Sequence, residues 1–273
     1  MSPLSLLFEN DEILLVNKPA GVSVQGGAGI VHPLDDELSA QLGYRVHLVH
    51  RLDKETSGIL LVAKSAAAAA KWSRLLAGGQ VRKEYCAVCL GIPCAGGKPR
   101  LRGTLRGSVN AHGREQSAEL HFSVERSAVV PLPPPAGQGS PAAQTASGTA
   151  AVPAGSAAGG NSDSVAGGNG AVAGADSVTL SLVRITLGTG RMHQIRIQLA
   201  GAGAPLAADD QHGDFRLNKK IRRLGIKRLQ LAAVRLTVPL DGSPRTFSIP
   251  LPEHMQRTVD AWLPETSPAA APV

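Results

Sequence analysis

The sequence predicts an α+β fold on three observations. Short strand-like runs recur along the chain, helical patterns are interspersed among them, and the regular strand–helix–strand repeat of a parallel sheet is missing. The strand candidates Ile13–Val16, Val46–Val49, Ile59–Val62 and Lys83–Leu90 are apolar or alternating runs bounded by Gly, Pro or Asn. Between the last two, Ser65 is placed to cap a helix that runs through the alanines, Trp72, Leu75 and Leu76 and stops at Gly78-Gly79. Ser117–Glu125 and Val178–Leu187 alternate apolar and polar residues as half-buried strands do. In Arg191–Ala200 the apolar residues at 192, 195, 197 and 199 fit neither period cleanly, and the closing Gly201 and Gly203 favour a helix. Leu229–Leu240 and Arg245–Ile249 read as a hairpin around Asp241-Gly242, followed by a helix from about Glu253.

From about Ala128 to Ser177 the chain is nearly all Ala, Gly, Ser and Pro, with little apolar surface to offset the entropy of ordering. It is expected to be a disordered insertion joining two strands of one sheet. Residues 1–127 and 178–265 then form one domain, 128–177 the insertion and 266–273 a flexible tail.

A chain of 273 residues can bury a sizeable core. Its net charge of +7 and isoelectric point near 9.7 favour an acidic partner such as nucleic acid. Three clustered cysteines, Cys86, Cys89 and Cys94, are too few to staple such a chain, so a reducing compartment, the cytoplasm, is expected. The N-terminus lacks a secretory pattern, and no apolar run reaches the roughly 18 residues of a membrane span.

The densest functional stretch is His50-Arg51-Leu52-Asp53-Lys54-Glu55-Thr56-Ser57-Gly58, between two apolar strands and ending at a glycine that permits a sharp turn. A loop there exposes Asp53; the plain alternative is a charged surface turn. Downstream, Lys83-Glu84-Tyr85 opens a strand, and Gly190-Arg191-Met192-His193-Gln194-Ile195-Arg196 follows a long one.

Three other readings carry less. Cys86 and Cys89 resemble part of a zinc site, but a separation of three sends them to opposite faces of a strand and no second CxxC completes the set. His47, His50, His193 and His212 with Asp209, Asp210 and Asp214 lack an HExxH spacing that would demand a metal. Gly188-Thr189-Gly190 lacks the third glycine of a dinucleotide-binding turn.

VNKPAGVSV, HRLDKETSGILLVAKS, KEYCAVCLG and TGRMHQIRIQLAGAGAPLAADDQHGD, in this order, resemble the successive motifs of the RluA-type RNA pseudouridine synthases. GDFRLNKKIRRLGIKRLQLAA is similar to the ribosomal RNA branch of that family, the RluC-like enzymes. The resemblance covers nearly the whole chain outside the low-complexity segment and the tail. It implies a single catalytic domain with a mixed, mainly antiparallel sheet and an RNA-binding cleft, working without a metal or organic cofactor as a monomer. Asp53 corresponds to the catalytic aspartate, Arg191 to the basic residue paired with it, Tyr85 to the tyrosine packed on the target base, and Arg51 to the arginine that fills the gap left by a flipped nucleotide. Phosphate contacts are expected from Lys54, Arg82, Lys83, Arg196 and the run Lys219, Lys220, Arg222, Arg223, Lys227, Arg228, with a solvated helix face as the alternative for that run.

Two departures stand out. Ala208-Asp209-Asp210-Gln211-His212-Gly213 replaces the family's Gly-Asp-x-x-Tyr-Gly, and Leu231-Ala232-Ala233 replaces Leu-His-Ala. The VNKP motif also lies within twenty residues of Met1, so the S4-type domain that many ribosomal members carry is not expected here. Ribosomal RNA is the favoured substrate, transfer RNA the alternative, and an inactive RNA-binding protein on the same scaffold the competing class.

Overall fold

A computed structural model describes residues 3–27, 29–111, 113–133 and 177–265. In chain order the elements are β1 (Ser5–Glu9), β2 (Ile13–Lys18), α1 (Leu34–Leu42), β3 (His47–Leu48), β4 (Ser57–Ala63), α2 (Ala66–Ala77), β5 (Arg82–Leu90), β6 (Cys94–Ala95) and β7 (Lys98–Pro99). They continue with β8 (Arg102–Ala111), β9 (Arg114–Pro131), β10 (Ser177–Leu187), α3 (Gln194–Gly201), α4 (Phe215–Ile221), a 3-10 turn (Arg222–Leu224), β11 (Leu231–Leu240), β12 (Ser243–Ser248) and α5 (Glu253–Trp262).

One mixed sheet organises the described residues, in the order β1-β2-β4-β11-β5-β10-β9-β8, with β12 added to β11 and β3 to β4. Its pairs are antiparallel except β4 with β11, where Ser57 and Gly58 lie opposite Ala232 and Ala233. The α+β class is thus as expected. The hairpin turn follows its sequence signal, with Asp241 and Gly242 both at positive φ as a two-residue turn between twisted strands requires.

Alternation along the strands divides the core between two faces. On β5, Tyr85, Ala87 and Cys89 join a cluster with Leu34 and Leu38 of α1 and Ile195 and Leu199 of α3. Cys86, Val88 and Leu90 face the other way, onto Met255 and Val259 of α5. The two cysteines therefore sit on opposite faces, the geometry that argues against a shared zinc. Further along that second face, Trp72 of α2 is 1% exposed among Ile13, Leu15, Ile59 and Leu61, its indole nitrogen donating to Glu12 at 2.9 Å. Ser65 caps α2 by accepting from Ala68 N, as its sequence position predicts.

The boundary of the predicted insertion needs correction. Residues 128–131 belong to β9 and Ser177 opens β10, where it pairs with Pro131; Val130 pairs with Val178 and is buried. Composition averaged over a long Ala/Gly/Ser/Pro segment had hidden the apolar Val129, Val130 and Leu132 at its start. Residues 134–176 of the predicted insertion, and the tail 266–273, lie outside the described residues.

Candidate active site

The segment between β3 and β4 carries Asp53, and its shape follows from what its neighbours bury. Leu52 enters the core, and the ring nitrogen Nε2 of His50 accepts from Leu61 N at 3.1 Å. Burial, and then the charge of Lys83, push His50 down to about 3, against a weaker opposing hydrogen bond at Arg51, so its ring is neutral. With these two turned inward, Arg51 points out, 3.5 Å from Gln25 Oε1, and Asp53 keeps 27% of its side chain exposed. A turn closes behind it, with Thr56 N donating to Asp53 O.

Two devices fix the loop from below. The Lys54 carbonyl accepts from Gly21 N and from Lys18 Nζ. Lys18 is fully buried and also donates to the Pro19 and Val22 carbonyls, so its ammonium ties the turn after β2 to the Asp53 loop. Burial brings it down to about 8, with Glu55 and Asp53 opposing that shift. Gly58, at φ +114°, lies so close to β11 that a Cβ there would stand 2.2 Å from Ala233 O. Only glycine lets the loop turn into the sheet at this point.

Across from the loop, Lys83 and Tyr85 share one face of β5 and line the same cleft, of about 400 Å³. Tyr85 is buried, and burial together with the negative charge of Asp53 holds its phenol above the usual tyrosine range, hence protonated. Burial also lowers Lys83, whose ammonium would lie 3.0 Å from a Cβ at Gly190.

The third wall comes from the segment around α3. Arg196 Nη1 donates to Asp53 Oδ2 at 3.3 Å, while Nε and Nη2 form a two-pronged pair with Asp209 at 2.8 and 2.7 Å. Burial works against both charges of that pair, but the pairing outweighs it and holds Arg196 above and Asp209 below their ordinary values. His193, at φ +53° just before the helix, places Nε2 3.9 Å from Asp53 Oδ1 and shares a 2.9 Å hydrogen bond through Nδ1 with His212. Burial and then the charge of Arg196 lower His212.

The basic partner of Asp53 is therefore Arg196, correcting the expectation for Arg191. Arg191 is exposed on the turn before α3, where its Nε donates to Ser117 O and its backbone N–H to Gln194 Oε1. The helix begins only at Gln194, which turns Arg196 onto the buried side with Leu199 and leaves Arg191 outside. The expected phosphate role of Arg196 is also corrected: it is 7% exposed and its guanidinium is spent on Asp53, Asp209 and the Gln211 amide oxygen. Position in the helix was the signal, since Arg196 and Leu199 are three residues apart on one face.

Of the remaining candidates, Arg51, Lys83 and Arg191 line the cleft with Asp53, Tyr85 and Arg196. Lys54 and Arg82 are exposed and do not line it, Arg82 lying 3.2 Å from Glu84. Lys219 and Lys220 are exposed on the last turn of α4, also outside the cleft. Sequence reasoning assigned no role to Lys18 or Asp209. A single lysine in a buried strand, and an acid three residues after the Gly203-Ala204-Pro205-Leu206 run, were the available hints.

The model of the RNA pseudouridylate synthase family matches residues 12–201. The chain belongs to that family. It is 29% identical over 255 residues to the ribosomal large subunit pseudouridine synthase C of Haemophilus influenzae, covering 92% of this chain and 66% of that one. It is also 29% identical over 260 residues to the enzyme of the same name from Escherichia coli, covering 92% and 68%. The chain thus spans about two-thirds of the length of these relatives. The fold is similar to that of human RNA pseudouridylate synthase domain containing 4, with a TM-score of 0.64 at 19% identity over 94% of this chain and 92% of that one. Human RNA pseudouridylate synthase domain containing 1 gives 0.64 at 20% identity over 99% and 94%.

Proposed function

We propose that this protein isomerises uridine to pseudouridine in RNA, with Asp53 as the catalytic carboxylate and large-subunit ribosomal RNA as the substrate. The observation that carries the reading is a carboxylate left accessible in a cleft, fixed by a buried guanidinium and faced by a protonated tyrosine. The names of the relatives support the choice of RNA.

The reaction breaks the bond between N1 of uracil and C1′ of ribose and makes one between C5 and C1′, with a proton leaving C5 and one arriving at N1. Its atoms and electrons balance within the nucleotide. The Asp53 carboxylate serves either route to cleavage, attack on the sugar or removal of its 2′ proton. Tyr85 packs against the base, and its phenol is placed to help move the C5 proton in the last step. The base must first leave its stack at a cost of roughly a few kcal/mol, and Arg51, at the rim, stacks in the space it vacates. Lys83 and Arg191 hold phosphates at the cleft, while Lys54, Arg82, Lys219 and Lys220 extend the contact beyond it. Among the described residues no helix is long and apolar enough to cross a membrane; with an RNA substrate, a cytoplasmic monomer is the form we propose.

Mapping pseudouridines across ribosomal and transfer RNA from cells lacking the gene, with and without complementation, tests this. Defined large-subunit sites should vanish and return with the intact protein but not with Asp53→Ala. Unchanged maps, or full rescue by Asp53→Ala, would replace the synthase by a binding protein; loss confined to transfer RNA would reassign the substrate.

A further inference from the structure

Asp209 is 1% exposed, and its carboxylate holds Arg196 while also accepting from the backbone N–H groups of Gln211 and His212 at 2.9 and 3.0 Å. What holds Asp209 is a different element. Asn218, 2% exposed on α4, accepts from Ala208 N through Oδ1 at 3.0 Å and donates through Nδ2 to Asp209 O at 2.9 Å. Its amide brackets the two backbone groups on either side of the Ala208–Asp209 peptide.

That bracket holds an unfavourable conformation. Ala208 has φ +58°, a left-handed value that a non-glycine residue avoids and that persists only where neighbours enforce it. The turn then returns so tightly that a Cβ on Gly213 would lie 2.3 Å from Asp209 O and 3.0 Å from Asn218 Nδ2. Asn218 is held in turn by the start of α4, where Asp214 accepts from Arg216 N and Leu217 N at 2.9 Å.

We propose that Asn218 is a positioning residue for the reaction: by locking the turn that carries Asp209, it fixes the Arg196 guanidinium so that Nη1 alone is left for Asp53. This rests on the synthase reading above. Asn218 does not line the cleft, and it reaches Asp53 only through Asp209 and Arg196. The same helix carries exposed Lys219, so α4 links a basic outer surface to the orientation of the carboxylate.

The test uses the full-length protein and a ribosomal RNA transcript containing the mapped uridine. Asn218→Asp keeps the shape and the acceptor for Ala208 N but sets an oxygen against Asp209 O; Asn218→Ala removes both bonds. A catalytic group displaced by about 1 Å loses rate by about 100-fold, so kcat should fall by about 10- to 100-fold while KM for the RNA stays within about twofold. In the Arg196→Lys background the same substitution should cost little more, because both act through one guanidinium. Unchanged kcat, a raised KM at constant kcat, or a loss that tracks the unfolded fraction and adds to that of Arg196→Lys would overturn the proposal. The Nε–H resonance of Arg196 in the free protein, assigned by its absence in Arg196→Lys, gives a readout independent of activity. It should move in Asn218→Asp and stay put if Asn218 does not hold Arg196. If the unaltered protein makes no pseudouridine, the synthase reading fails and this resonance still decides whether Asn218 positions Arg196.

Discussion

Arg196 meets Asp53 with one nitrogen, Nη1 at 3.3 Å, and commits the other two to Asp209. A lysine cannot make both contacts in the same geometry, because its ammonium is a point charge without the planar fork. Arg196→Lys should lower kcat by about 100-fold with a modest change in KM. Arg196→Ala should in addition destabilise the fold by about 3–5 kcal/mol, since Asp209 would remain buried without its partner. Arg191→Ala should alter KM while leaving kcat within a few-fold. Single-turnover pseudouridine formation and thermal denaturation measure these outcomes; a larger kcat loss for Arg191→Ala than for Arg196→Lys would return the pairing role to Arg191.

Gly58→Ala tests the junction between the Asp53 loop and the sheet. The added methyl would stand 2.2 Å from a backbone oxygen at a positive φ, with no flexible side chain to yield. A loss of about 3 kcal/mol or more is expected, together with loss of activity, read by denaturant unfolding. Wild-type stability in this variant would show that β11 does not crowd the loop.

His50 makes stability depend on acidity. Its native value, pushed down to about 3, lies below the ordinary 6.5, so between those pH values the unfolded chain binds a proton that the native one refuses. Stability from this group is therefore complete above about pH 6.5 and is lost as pH falls toward 3. The slope is at most about 1.4 kcal/mol per pH unit, less because His50 as a residue is only half-buried. His50→Gln, which preserves an acceptor for Leu61 N, should flatten the fall between pH 6.5 and 5 in urea titrations. Identical slopes for the two proteins would assign the acid sensitivity elsewhere.

Tyr85 separates packing from proton transfer. Tyr85→Phe keeps the ring against the base and removes the hydroxyl, so kcat should fall by about 10²- to 10⁴-fold with KM nearly unchanged. Tyr85→Leu should raise KM as well. If Phe supports full turnover, the phenol moves no proton and the ring alone is required.

Elements with strong local signals were legible: β4 from an unbroken apolar run, α2 from its Ser65 cap and glycine stop, the β11–β12 hairpin from Asp241-Gly242. β1 and α1 passed unnoticed, the first only five residues long and the second burying only Leu34 and Leu38. β8 hides because Gly103, Gly107 and several polar residues interrupt its alternation, and only pairing with β9 makes it a strand. In the site, Asp53 and Tyr85 stood out because each sits in a compact motif. The partner of Asp53 did not, since choosing between Arg191 and Arg196 depends on where α3 begins, and the start of a helix is decided by backbone geometry at His193 that composition does not encode. Lys18 and Asn218 act through backbone groups 36 and 9 residues away, relations that exist only after folding.

The parallel contact of Ser57 and Gly58 with Ala232 and Ala233 joins the first quarter of the chain to its last. The loop bearing Asp53 is translated early, yet the strand that closes against it leaves the ribosome some 170 residues later, as roughly expected for a fold built on distant pairings. A nascent chain halted just before β11 would carry every residue that lines the cleft except Leu231, and no strand to close against the Asp53 loop. On the proposed function, competence therefore arrives only once β11 has emerged, and a copy halted before it has no closed cleft in which to act on RNA.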